Sequence, residues 1–146
     1  MGRRRKAREE TLRILYRLEF NNRPLEETID QYWENKRAHK VTREYSTWLV
    51  SGIISHQKMI DTFIQQVSEH WRISRMALID RNIIRIAVFE LLYEENIAPA
   101  IIINEAIEIA KMYSGNEAAT FVNGILDAVR KNLNKIKKSL KDENDD

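Results

Sequence analysis

The stretch DRNIIRIAVFELLYEE, residues 80–95, decides the fold. Placed at about 100° per residue, Ile83, Ile84, Ile86, Ala87, Val88, Phe89, Leu91 and Leu92 cover most of a helical circumference. Only Arg85 and Glu90 interrupt them. A helix that is apolar on nearly every side has to be wrapped by other elements. It is also too short and too charged to cross a bilayer, which takes roughly 20 apolar residues. The reading is of a central buried helix from Arg81 to Glu95, capped by Asp80. Within it, Glu90 is expected to pair with Arg85, because a buried carboxylate needs a partner.

Downstream of this segment Asn96 marks a turn and Pro99 opens a helix running to Tyr113. Ser114, Gly115 and Asn116 end it, with Gly115 suited to a left-handed cap. A last helix starts near Asn116 and carries Ala118, Val122, Ile125, Leu126, Val129 and Leu133 at helical spacing. Past Lys135 lysines dominate, so residues 136–146 read as a polar, partly disordered tail. Upstream, Ser74 is placed to cap a short turn containing Met76, Ala77 and Leu78. Tyr45, Leu49, Ile53, His56, Ile60, Ile64 and Val67 make the stripe of one long helix, capped by Thr42. A polar, basic loop, Lys36 to Lys40, precedes it. Pro24 opens a short helix with Leu25, Ile29 and Trp33, and residues 3–20 form a first helix with Ala7, Thr11, Ile14, Leu15 and Leu18 on one face. The expected fold is all-α, with about seven helices. It is one domain over residues 3–135, with an N-terminal three-helix group to residue 70 and a C-terminal group from residue 74.

Composition agrees and narrows the function. The 146 residues are 43% hydrophobic and 32% charged, with 4 Gly and 2 Pro, which suits a helical domain with few tight turns. There is no cysteine, which removes disulfides, thiolate metal sites and cysteine nucleophiles, and suits a reducing cytoplasm. His39, His56 and His70 lack metal-ligand spacing, and the glycines are too isolated for a phosphate loop. His56, on the apolar stripe, reads as a hydrogen-bonded structural residue, and Gly52 as a point of close helix packing. Glu105 and Glu108, continued by Lys111, read as a solvated, salt-bridged face. Neither catalysis nor a metal or organic cofactor is expected.

One signal carries binding chemistry. Net charge is only +2, yet Arg3, Arg4, Arg5, Lys6 and Arg8 all precede the first acid, Glu9. On the first helix Arg5, Arg8 and Tyr16 share one flank. Guanidinium groups beside an exposed ring suit single-stranded RNA, since charge follows phosphates and the ring stacks on a base. The plainer alternative, a solvated basic terminus with Tyr16 filling a groove, stays open on this pattern alone.

Four segments resemble the NusB family of transcription antitermination factors. They are Arg4 to Glu9 with Leu15-Tyr16; Leu49 to Ile53 with Ile60-Asp61; Arg85 to Leu92 with Ile103 to Lys111; and Phe121 to Asp127. Their order and spacing agree over residues 3–133. The resemblance implies two packed helical groups and a cytoplasmic, non-enzymatic RNA-binding adaptor. Such an adaptor pairs with the ribosomal protein NusE and binds boxA RNA of ribosomal RNA operons. With other Nus factors it helps RNA polymerase read through. Carried over, the RNA surface comprises Arg4, Arg5, Lys6, Arg8, Tyr16, Glu117 and Phe121. Thr120 stands where some members have a basic residue. Asn123 is implied to bond between helices and Gly124 to allow close approach. NusE is expected on the C-terminal half, around Glu94, Glu95 and Glu105, where acidic character complements a basic protein. Two alternatives remain: the RNA-binding module of a ribosomal RNA methyltransferase, and a purely protein-binding helical adaptor.

Overall fold

A computed structural model describes residues 2–144. Among these, the chain forms α1 (Gly2–Phe20), α2 (Leu25–Trp33), α3 (Lys40–Ser55), α4 (Gln57–Val67), a 3-10 turn (Ile73–Arg75), α5 (Leu78–Tyr93), α6 (Pro99–Ser114), α7 (Asn116–Lys131) and α8 (Leu133–Asn144). No strand occurs among the described residues, so the all-α expectation holds. No helix there is long and apolar enough to cross a membrane.

The predicted central helix is central. Every residue from Asn82 to Leu92 in α5 is buried, and α1, α3, α4, α6, α7 and α8 all pack against it. Fully enclosed side chains such as Ile84 and Leu91 each contribute about 1.5–3 kcal/mol by leaving water. Gly52 of α3 faces Phe89 so closely that an added Cβ would lie 2.0 Å from the ring's Cζ. The close packing read at that glycine is therefore real. Gly124 differs: it is exposed, with open space around it, and Asn123 is exposed as well. Neither serves the helix contact that the resemblance implied.

Several boundaries also differ. The single long helix breaks at His56, where φ −117° and ψ 16° leave the helical region. The His56 ring nitrogen Nδ1 lies 2.9 Å from the Gly52 carbonyl, and the ring stacks near Tyr93. The apolar stripe keeps its phase across the break, with Ile60 and Ile64 buried, so periodicity ran straight through it. After the break α4 packs on α5 and α7, while α2 and α3 stay on α1. Thr42 lies inside α3, where His39 caps instead by accepting from the Val41 amide. Asp80 lies in the first turn of α5 rather than before it, and Ser74 lies within the 3-10 turn. Gly115 takes a positive φ of 91°, which suits the glycine, but its ψ of −177° places it in extended backbone and not in the left-handed helical well. The polar tail read from residue 136 is largely helical: Leu133 and Ile136 are buried and Leu140 packs on them, an i, i+3, i+7 stripe that the lysines masked. Asp145 and Asp146, the acidic end of that tail, lie outside the described residues.

Candidate nucleic-acid interface

The Arg-rich segment is the first two turns of α1, so its side chains fan around a helix whose inner face, with Ala7, Thr11, Ile14 and Leu15, is buried. Thr11 bonds to Ser46 of α3 at 2.9 Å, pinning the two helices together. Arg4, Arg5 and Lys6 each meet a carboxylate that is largely buried. Arg5 Nε donates to Glu105 of α6 at 2.6 Å, and this bond with the neighbouring acids raises the guanidinium pKa. Arg4 lies over the Tyr45 ring at 4.9 Å and 3.9 Å from Glu94. Lys6 reaches Glu10 at 3.1 Å. All three cations stay accessible, with side chains 41% (Arg4), 38% (Arg5) and 55% (Lys6) exposed.

Arg8 does not join them. It is buried, and donates through Nε and Nη2 to both oxygens of Glu90 at 2.7 and 2.8 Å. Tyr45 adds a third donor to Glu90 at 2.7 Å. Burial alone would lower the Arg8 pKa, but the bonds and charge of Glu90 outweigh it and raise the value. With its fork spent on a buried carboxylate, Arg8 is a structural tie between α1 and α5 and has no face to offer a phosphate. The partner expected for Glu90 is likewise corrected: Arg85 instead makes a bidentate pair with Asp61 at 2.8 Å and bonds Asn82 at 3.0 Å.

Tyr16 is 50% exposed beside Phe20, which is 69% exposed, with ring centroids 4.8 Å apart. Next to them is a small apolar hollow lined by Leu12, Arg13, Ile79 and Tyr113. Glu117 is exposed in the first turn of α7, and Phe121 is half-buried, edge-on to the exposed Trp71 at 6.1 Å. Among the described contacts no hydrogen bond or ring pair ties Glu117 or Phe121 to α1. The seven residues thus divide into the α1 tip (Arg4, Arg5, Lys6), the Tyr16–Phe20 edge, the α7 start and the buried Arg8. The expected acidic patch shrinks too. Glu95 is exposed, but Glu94 is mostly covered, and Glu105 is buried beneath Arg5 rather than solvated.

The sequence pattern does not single out Glu10. Its carboxylate is buried yet meets Lys6, Arg13 at 2.9 Å, Lys36 at 3.0 Å and the Tyr32 hydroxyl. Burial would raise its pKa, but bonds from Tyr32, Lys36 and Lys6 pull it down to about 2. The i, i+3 and i, i+4 spacings to Arg13 and from Lys6 were visible in the sequence, whereas Lys36 and Tyr32 arrive only through the fold.

The NusB family model matches residues 5–131. A transcription antitermination protein NusB of Thermodesulfovibrio yellowstonii is 41% identical over 88% of this chain and 91% of its own length. That of Myxococcus xanthus is 42% identical over 92% of this chain and 99% of its own. Among solved structures, T. maritima NusB is 34% identical with a TM-score of 0.76, over 92% of this chain and 90% of that one. A complex of the antitermination factors NusB and NusE with double-stranded RNA contains a chain 28% identical with a TM-score of 0.77, over 95% of this chain and 98% of that one.

Proposed function

The chain belongs to the NusB family, and from that premise we propose that it is a non-catalytic transcription antitermination adaptor of the cytoplasm, binding boxA-type RNA together with a NusE-type ribosomal protein. The observation that carries the RNA half is the α1 tip. Arg4, Arg5 and Lys6 project from one helical end, each oriented by a carboxylate that is itself largely buried. Phosphates approaching from solvent therefore meet cations first. The start of α7, with the exposed Glu117 and the half-buried Phe121 ring beside the exposed Trp71, would supply a second patch where a base can stack.

Tyr16 supports either of two readings. Its exposed ring suits a stacked base. Its pairing with the more exposed Phe20, beside an apolar hollow, favours the protein partner, since contiguous exposed apolar surface marks protein contacts. Tyr16→Ala decides between them. Lost RNA affinity in the absence of NusE, by about 1–3 kcal/mol, assigns the ring to RNA. Lost NusE affinity with unchanged RNA binding assigns it to the partner.

The test of the main reading is the salt dependence of boxA RNA binding, followed by anisotropy, for wild type and Arg4→Gln/Lys6→Gln. Two lost phosphate contacts should flatten the log–log slope by about 1.4. Superimposable curves for the two proteins would show that the α1 tip does not hold the RNA.

A further inference from the structure

Residues 36–43 carry Lys36, Arg37, His39, Lys40 and Arg43, and no carboxylate occurs between Glu34 and Glu44. All five are exposed. The fold sets this segment against the tip of α1. Thr42 Oγ1 donates to the Arg3 carbonyl at 3.3 Å, and Lys36 and Lys6 converge on the buried Glu10. The basic tip of α1 and the basic start of α3 are thus one continuous surface. Of the nearby acids, Glu44 and Asp30 stand beside the start of α3 and offset part of it. Glu10 is buried under three cations, and Glu44 sits 3.7 Å from Lys40, with both side chains well exposed.

The charge is also placed at some cost. Neither α1 nor α3 has an acid in its first turn, so cations crowd the positive ends of two adjoining helices. Each such placement is unfavourable, and a phosphate would relieve it. Beside the start of α3 lies an open hollow of about 550 Å³, lined by Ile29, Trp33 and Ala38, by Lys40 and Arg43, and by the carboxylates Asp30 and Glu44. Arg43 closes its rim, its guanidinium 5.6 Å from the centre of the Trp33 ring.

We propose that residues 36–43 and the first turn of α3 extend the α1 surface and take the phosphates of single-stranded RNA flanking the element held there. This rests on the RNA reading of α1. Two RNAs test it, one limited to the boxA-like element and one lengthened by uridine flanks, against full-length wild type and Lys40→Gln/Arg43→Gln. Wild type binds the longer RNA more tightly. The double variant binds the short RNA like wild type but loses most of the gain from the flanks. Its slope for the long RNA flattens by about 1.4, so its affinity falls about sevenfold less than that of wild type between roughly 50 and 200 mM salt. If wild type binds neither RNA, the α1 reading fails and this proposal with it. If wild type gains from the flanks and the double variant keeps the gain, only this proposal falls. Retention of the gain with weakened NusE binding would make the face a protein contact instead.

Discussion

Two charge clusters share α1, each around a buried carboxylate, and they differ in whether the cations are buried with it. Around Glu90 both signs are buried, with Arg8 and the carboxylate each shielded from water and Tyr45 closing the set. Around Glu10 only the carboxylate is buried, while Lys6, Arg13 and Lys36 keep side chains 55%, 43% and 40% exposed. Residue type is the same in both, and burial of the cation separates the roles. A buried cation is consumed in holding helices together, whereas a buried carboxylate turns surface cations into a fixed, outward-facing array.

The largest effect expected from this difference is on Arg8. Arg8→Met leaves Glu90 charged and buried with only the Tyr45 hydroxyl, and should cost about 3–5 kcal/mol in urea unfolding. RNA affinity of the folded fraction should stay unchanged. Adding Glu90→Leu should recover much of the loss, because an apolar pair of similar volume avoids the desolvation penalty. Near-native stability in the single variant, with RNA affinity lost, would erase the distinction between the clusters.

The second effect is on Glu10, through pH. Its folded pKa of about 2 lies below the ordinary 4.5, so the unfolded chain takes up its proton first as pH falls. The stabilisation is complete above about pH 4.5 and disappears as pH drops through about 2, amounting to at most about 3 kcal/mol. Unfolding of wild type and Glu10→Gln, compared across that range, isolates this share from other carboxylates. Parallel pH profiles for the two proteins would mean that Glu10 is not held by its three cations.

How much of this was readable beforehand follows from which contacts are local. The central helix was legible because α5 is apolar all round, and Gly115 because a helix had to end there. The break at His56 was not, since no Gly or Pro marks it and the stripe continues in phase. At the site, sequence identified the basic tip but could not sort its members. Arg5 and Arg8 are three residues apart on one flank, and their fates depend on Glu105 and Glu90, 100 and 82 positions away, brought in by α6 and α5. The sequence reads Glu105 as solvated for the same reason, because its cover is Arg5 from the far end of the chain.

The smallest and sharpest test compares Arg5 with Lys6, which look alike from solvent. Both should contribute one phosphate contact, so Arg5→Ala and Lys6→Ala should each flatten the RNA salt slope by about 0.7. Their effects on stability should part. Glu10 keeps Arg13, Lys36 and Tyr32 when Lys6 is removed, so that loss should stay within about 1 kcal/mol, as for an exposed pair. Glu105 has Arg5 as its only hydrogen-bond donor among the described side-chain contacts, so Arg5→Ala leaves a buried carboxylate unpaired. That should cost about 1–3 kcal/mol or more. Thermal or urea unfolding beside the binding curves separates the two quantities. Equal stability losses would mean that Glu105 finds water or another donor once Arg5 is gone, and that the α1 tip can be recharged at any position without regard to what lies beneath it.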